Sequence, residues 1–206
     1  MVTIACVYQP SIDYSDDYVY RLRDSVARHC TADYSFVCLT NRRLKSTETI
    51  PLVKSWPGWW AKLELFRPGL FSGQVFYLDL DTMIVGDITD LVTKKQDFAV
   101  LSDMYHGERM NSGIMAWNAD LDFSHLYSDF SRERIPEYTG VKEKWGDQGW
   151  IEQNLALPPE RLQSQFPGRI VSYKVDVREQ NRVPDGASIV CFHGKPRPHQ
   201  INWRLP

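Results

Sequence analysis

The segment Gln-Val-Phe-Tyr-Leu-Asp-Leu-Asp-Thr-Met-Ile-Val, residues 74–85, constrains this chain more than any other. Val75, Phe76, Tyr77 and Leu78 are apolar without interruption, and a second, largely apolar run follows over 82–85. A run with no polar alternation is the pattern of a strand covered on both faces. Between the runs stand two carboxylates, Asp79 and Asp81. Charged side chains are seldom fully buried unless they are paired or bound to metal. The carboxyl end of a strand in an open α/β sheet is where such folds bind ligands. Two carboxylates there can share a hard divalent cation, and that cation can hold phosphate oxygens. A bare Asp-x-Asp also fits a turn or a helix cap with a solvated neighbour, so its surroundings must decide.

Those surroundings read as alternating strands and helices. Strands are expected over 3–8 and 35–40, and between them Tyr18, Val19, Leu22, Val26 and Ala27 have helical spacing over 18–30. Ser15 can cap that helix. The opening is therefore β-α-β, the unit of a parallel sheet. Its first loop lies near the crevice of such a sheet, which makes Tyr8 a candidate for stacking on a nucleotide base; core packing is the competing role. Residues 59–66 read as a helix ended by Arg67, Pro68 and Gly69, and carry Lys62, which either meets solvent or points at a diphosphate. Further strands are expected over 97–101 and 110–118, the second starting with Asn111, Ser112 and Gly113: polar groups beside a residue that permits close backbone approach. An amphipathic helix is expected over 122–134 and a shorter one over 145–155, where Asp147 could be an N-cap. A strand-like stretch over 169–173 precedes the last buried strand, 188–193, which ends in His193.

The chain has 206 residues, 43% of them hydrophobic, and a net charge of -2. That size supports one domain over 1–206 with a real core. The charge balance gives no electrostatic case for nucleic acid. No apolar run approaches a membrane span. The first residues read as a strand and not as a secretion signal. Four cysteines, Cys6, Cys30, Cys38 and Cys191, form no Cys-x-x-Cys pair. They read as buried thiols in a reducing compartment, the cytoplasm, and against zinc.

Five pieces occur in a familiar order: Ala-Lys-Leu-Glu-Leu-Phe around Lys62, the Asp79–Asp81 strand, Asn111-Ser112-Gly113, Gly146-Asp147-Gln148-Gly149, and His193-Gly194-Lys195-Pro196. Together they resemble the glycogenin-like, family 8 glycosyltransferases. The resemblance implies a glycosyltransferase A (Rossmann-like) α/β fold, with a mostly parallel central sheet flanked by helices. It implies that Asp79 and Asp81 bind Mn²⁺ or Mg²⁺ on the diphosphate of a nucleotide sugar, UDP-glucose or UDP-galactose, and that His193 completes the metal set. By the same resemblance Lys195 contacts the diphosphate, Lys62 helps hold the donor, and Asn111 and Ser112 lie beside the donor sugar. Asp147 would bind sugar hydroxyls and Gln148 would lie near the anomeric carbon. The implied activity is retaining transfer of a hexose to a hydroxyl of a carbohydrate or glycosylated acceptor. The loops 102–109 and 140–144 would border the acceptor. In the family's final motif more residues separate the His from the Lys-Pro pair; here they are nearly contiguous, and His199 is a spare ligand. Two alternatives share the paired carboxylates. A nucleotidyltransferase would want a Gly-rich, basic loop after the first strand, which Tyr8-Gln-Pro-Ser lacks. A non-catalytic nucleotide-sugar binder would keep the fold without the reaction.

Overall fold

The computed structural model describes residues 1–140 and 144–201. β1 (Val2–Val7), α1 (Asp16–His29) and β2 (Tyr34–Leu39) form the expected opening unit, with β1 and β2 parallel and Val2 opposite Tyr34. α1 buries Tyr18, Val19, Leu22 and Val26, four of the five residues whose spacing predicted it; the fifth, Ala27, is exposed. Asp16 and Asp17 in its first turn and Arg28 and His29 in its last complement the helix dipole.

The remaining strands are β3 (Glu48–Ile50), β4 (Gln74–Leu78), β5 (Thr82–Ile84), β6 (Phe98–Ser102), β7 (Met110–Asn118), β8 (Glu160–Arg161), β9 (Ile170–Ser172) and β10 (Ile189–Cys191). A seven-stranded sheet runs β3-β2-β1-β4-β7-β6-β8. β7 is antiparallel to β4 and β6, and the other pairings in this sheet are parallel. β4 explains its own apolar run. Phe76 and Leu78 enter the core on the α1 side, while Val75 and Tyr77 enter a second core on the opposite face. A strand whose successive side chains point to opposite faces must be apolar throughout when both faces are covered.

Three expectations need correction. The helix expected over 122–134 is broken into a short helix, His125–Ser128, a 3-10 turn, Arg132–Arg134, and a further short helix, Ile135–Tyr138. Ser131 is extended between them (φ -132°, ψ 161°). Phe130 stacks on Trp60 at 4.8 Å between ring centroids and meets Trp56 edge-on at 5.0 Å. Tertiary aromatic packing thus uses the helical spacing of Leu126 and Phe130 without a continuous helix. The segment around Lys62 is a 3-10 helix, Gly58–Phe66, in which even Lys62 and Glu64 are buried.

The third correction concerns β10. A last strand ending in His193 could bring the imidazole to Asp79 by lying beside β4, but β4 is already hydrogen-bonded to β1 on one edge and β7 on the other. β10 lies instead in a three-stranded sheet, β5-β10-β9, antiparallel to β5. Cys191 pairs with Thr82, the residue after Asp81, so the chain leaving β10 still arrives alongside the aspartate turn. The four cysteines are buried and unpaired. Among the described residues no helix is long and apolar enough to cross a membrane.

Glu64 anchors the Lys62 segment to the extended strap before it. Its carboxylate, fully buried, accepts the backbone N–H groups of Val53, Lys54 and Ser55 at 2.6, 2.9 and 2.9 Å. Glu64→Ala leaves these donors without that acceptor and should cost about 2–4 kcal/mol of stability in urea unfolding; a loss below about 1 kcal/mol would show that water replaces the carboxylate freely.

Candidate active site

A cavity of about 890 Å³ opens at the carboxyl ends of β1 and β4. Lys62, Asp79, Asp81 and Asp147 line it, and so do Asn111, Ser112, Gln148 and His193. The fold therefore gathers eight of the eleven candidate residues named from sequence around one space; His199 instead bonds the Tyr18 hydroxyl through Nδ1. Tyr8 and Lys195 are not in its wall. Tyr8 is 2% exposed, packed in the α1-side core, with its hydroxyl donating to Asp16 at 2.8 Å. Lys195 is exposed on the segment after β10. The expected 140–144 border lies partly outside the described residues; Thr139, Gly140 and Trp145 line the cavity beside it.

The floor is built around Lys62. Its Nζ lies 3.0 Å from Asp147 Oδ2 and 3.2 Å from Asp79 Oδ1, and donates to Ser112 Oγ at 3.0 Å and Ser112 O at 3.2 Å. Ser112 Oγ in turn donates to Asp147 Oδ2 at 2.7 Å. An ammonium has three donors, so these partners use its capacity. Burial works against the charge, but Asp147 and Asp79 outweigh it and hold the Lys62 pKa above the usual lysine range. Lys62 is thus not solvent-facing: it is buried and pairs with two carboxylates.

Local structure delivers each partner. The Asp79 N–H donates to Gly113 O at 2.8 Å, which ties the end of β4 to β7. A Cβ on Gly113 would stand 2.9 Å from Asn111 Oδ1 and 3.3 Å from Asp79 Oδ2, so glycine makes room for the carboxylate. Asp147 lies in the first turn of the helix Gly146–Asn154, whose N-cap is Trp145, so Asp147 is not the cap. Gly146 has φ +65°, and a Cβ there would meet Trp59 Nε1 at 2.7 Å. Glycine is required on both counts.

Asp81 has a different set of partners. Tyr14 donates its hydroxyl to Asp81 Oδ2 at 2.9 Å, and the Arg197 guanidinium bonds the same oxygen. Burial and the neighbouring Asp79 push the Asp81 pKa up to about 6, against the pull of Arg197. Burial also raises Asp79, opposed by Lys62, although its side chain keeps 35% exposure. His193 Nε2 shares a hydrogen bond with Ser172 Oγ at 2.6 Å. Burial, with Lys174 nearby, lowers the His193 pKa and favours the neutral imidazole. Among the described residues no three His, Cys, Asp or Glu side chains converge as a metal set. Asp79 and Asp81 still suit a hard divalent cation: both are carboxylates, each repels the other's charge, and a cationic guanidinium already stands on Asp81. His193 shares their cavity wall but is not gathered with them. Sequence reading missed Arg197 and Tyr14; the only signal was an arginine between two prolines shortly after His193.

No family model matches the chain. Inositol phosphorylceramide glucuronosyltransferase 1 of Arabidopsis thaliana is 34% identical to it over 96 residues, which is 46% of this chain and 16% of that protein. The galactosyltransferase LgtC, solved with donor and acceptor sugar analogs, superposes with a TM-score of 0.68 at 13% identity, covering 98% of this chain and 91% of LgtC. The glycosyltransferase GlyE of Streptococcus pneumoniae gives 0.62 at 16% identity, covering 95% of this chain and 55% of GlyE. The chain has the glycosyltransferase A fold of these structures. It spans 16% of the length of the curated relative and 55% of GlyE.

The Asp81 environment has a measurable consequence. Its folded pKa of about 6 exceeds the ordinary value of ~3.9, so the folded state holds this proton more tightly. The group's contribution to stability is therefore greatest below about pH 4 and declines as pH rises through about 6. Carboxyl ¹³C NMR should show Asp81 titrating near 6, and Arg197→Met should raise the midpoint. A midpoint at the ordinary value would contradict the buried pairing with Asp79.

Proposed function

We propose that this chain transfers a hexose from a nucleotide sugar, UDP-glucose or UDP-galactose, to a hydroxyl of a carbohydrate or glycosylated acceptor. The observation that carries this reading is the Lys62–Asp79–Asp147 cluster at the floor of a nucleotide-sized cavity, in a fold shared with glycosyltransferases. The relatives' names support the reaction class: one is a glucuronosyltransferase, and another a galactosyltransferase seen with donor and acceptor sugar analogs.

Asp79 and Asp81 would hold Mn²⁺ or Mg²⁺, which neutralises charge growing on the departing diphosphate. Lys62 fixes Asp79 and Asp147 at a set separation by pairing with both. Asp147 Oδ2 is spent on Lys62 and Ser112, which leaves its other oxygen to accept donor-sugar hydroxyls. Asn111, in the same wall, bonds the Gly113 N–H through Oδ1 at 2.9 Å and keeps its amide donors for the sugar. A carboxylate held this way is a positioning group more than a mobile nucleophile, and the amide of Gln148 is a poor one. Retention then favours departure and attack on the same face, with a leaving phosphate oxygen taking the acceptor's proton. Four buried, unpaired thiols support action in a reducing compartment, the cytoplasm.

Incubation with Mn²⁺ and a panel of nucleotide sugars, with and without acceptor sugars, should release UDP from the preferred donor. Release of pyrophosphate from UTP and a sugar phosphate would point to the nucleotidyltransferase instead, and binding without turnover to a non-catalytic domain. Asp147→Asn should lower turnover by about 10²-fold or more, as loss of a held polar group at a reacting centre does, and should also lower the melting temperature, because the buried Lys62 loses a charge partner. Asp81→Asn should abolish the Mn²⁺-dependent rate; unchanged metal dependence in that variant would sink the metal assignment.

A further inference from the structure

Arg197 enters the cavity wall from the segment after His193. Its Nη1 pairs with Asp81 Oδ2. Its guanidinium centre stands 5.0 Å from the centre of the Tyr14 ring, whose hydroxyl donates to the same carboxylate oxygen. Its Nε lies 4.0 Å from Asp13 Oδ2 and, among the described residues, is buried without a hydrogen-bond acceptor. The backbone beneath is pinned. Arg197 N–H donates to Gln200 Oε1 at 2.8 Å, and Gln200 N–H returns to Arg197 O at 2.9 Å. The side chain is 17% exposed.

A fixed backbone thus presents a permanent cation to one of the two carboxylates that the proposed reaction needs for a divalent ion. The two cations compete, because they require the same carboxylate and repel one another. The guanidinium also suits what would arrive with the metal. Its planar fork matches two phosphate oxygens at once, which an ammonium does not. The unsatisfied Nε is a standing cost that a phosphate oxygen would remove.

We propose that Arg197 is a diphosphate ligand held in reserve on Asp81: the divalent cation displaces the guanidinium from Asp81, and the released guanidinium binds the donor's diphosphate. The inference rests on the glycosyl-transfer reading of the same cavity. It makes metal and nucleoside diphosphate mutually reinforcing, since each favours the state in which Arg197 has left Asp81.

The test measures Mn²⁺ binding by the loss of free-ion electron paramagnetic resonance signal, and UDP binding by calorimetry at saturating Mn²⁺. In Arg197→Met, Mn²⁺ alone should bind about tenfold more tightly, and UDP about tenfold more weakly, than in the natural chain. A merely structural role would weaken both. Arg197→Lys keeps a cation beside Asp81 without the fork, so Mn²⁺ affinity should stay near the natural value while UDP weakens. This second variant carries the test if Arg197→Met fails to fold by thermal melting. Mn²⁺ affinity that is unchanged or weaker in a folded Arg197→Met, or UDP affinity unchanged in either variant, overturns the proposal alone. If the natural chain binds no UDP with Mn²⁺ present, the donor-site reading and the proposal fall together.

Discussion

The ammonium of Lys62 is buried between two carboxylates that reach it from distant parts of the chain. Asp79 comes from the end of β4 and Asp147 from the helix Gly146–Asn154, while Ser112 on β7 closes the group. A buried charge is tolerable only when paired and hydrogen-bonded, and removal of one partner strands the others. The cavity floor therefore has its shape only while these three elements meet. The Lys62 segment is itself held by a second buried charge two residues on, where Glu64 collects the backbone amides of the preceding strap. One short helix thus ties together the sheet, the strap and the helix that carries Asp147.

The two aspartates of the Asp-x-Asp turn are neutralised in different ways. Asp79 leans on Lys62 at the floor, and Asp81 leans on Arg197 and Tyr14 at the side wall. The side wall belongs to the smaller sheet, because β5 starts directly after Asp81 and β10 pairs with it. A turn of alternating residues, Asp79-Leu80-Asp81, so joins the two sheets and gives one carboxylate to each charge system. That division is what lets a long, otherwise apolar run of chain carry two acids without unfolding the core.

Much of this was legible in local pattern. The uninterrupted run in β4 and the helical spacing of α1 reflect burial of faces, which periodicity reports directly. The family resemblance carried by the order of the polar pieces implied that Asp79, Asp81, Asn111, Ser112 and Asp147 surround one donor, and all five line one cavity. Tyr8 misled because a strand-end aromatic fits both a stacking role and a core role, and only the packing of α1 and the reach to Asp16 chose the core. The 122–134 segment misled because its apolar spacing is equally met by short helical pieces around Trp60.

The amino-acid sequence by itself determined which faces are apolar, where strands and helices alternate, and that two acids stand at a strand's end. These follow from interactions between near neighbours along the chain. Only the tertiary structure decided the partners of each charge: Lys62 with Asp79 and Asp147, Arg197 with Asp81, His193 with Ser172. The physical reason is that a buried charge is satisfied by whichever opposite or polar group packing brings within reach, and both edges of β4 are occupied, by β1 and β7, so β10 takes neither.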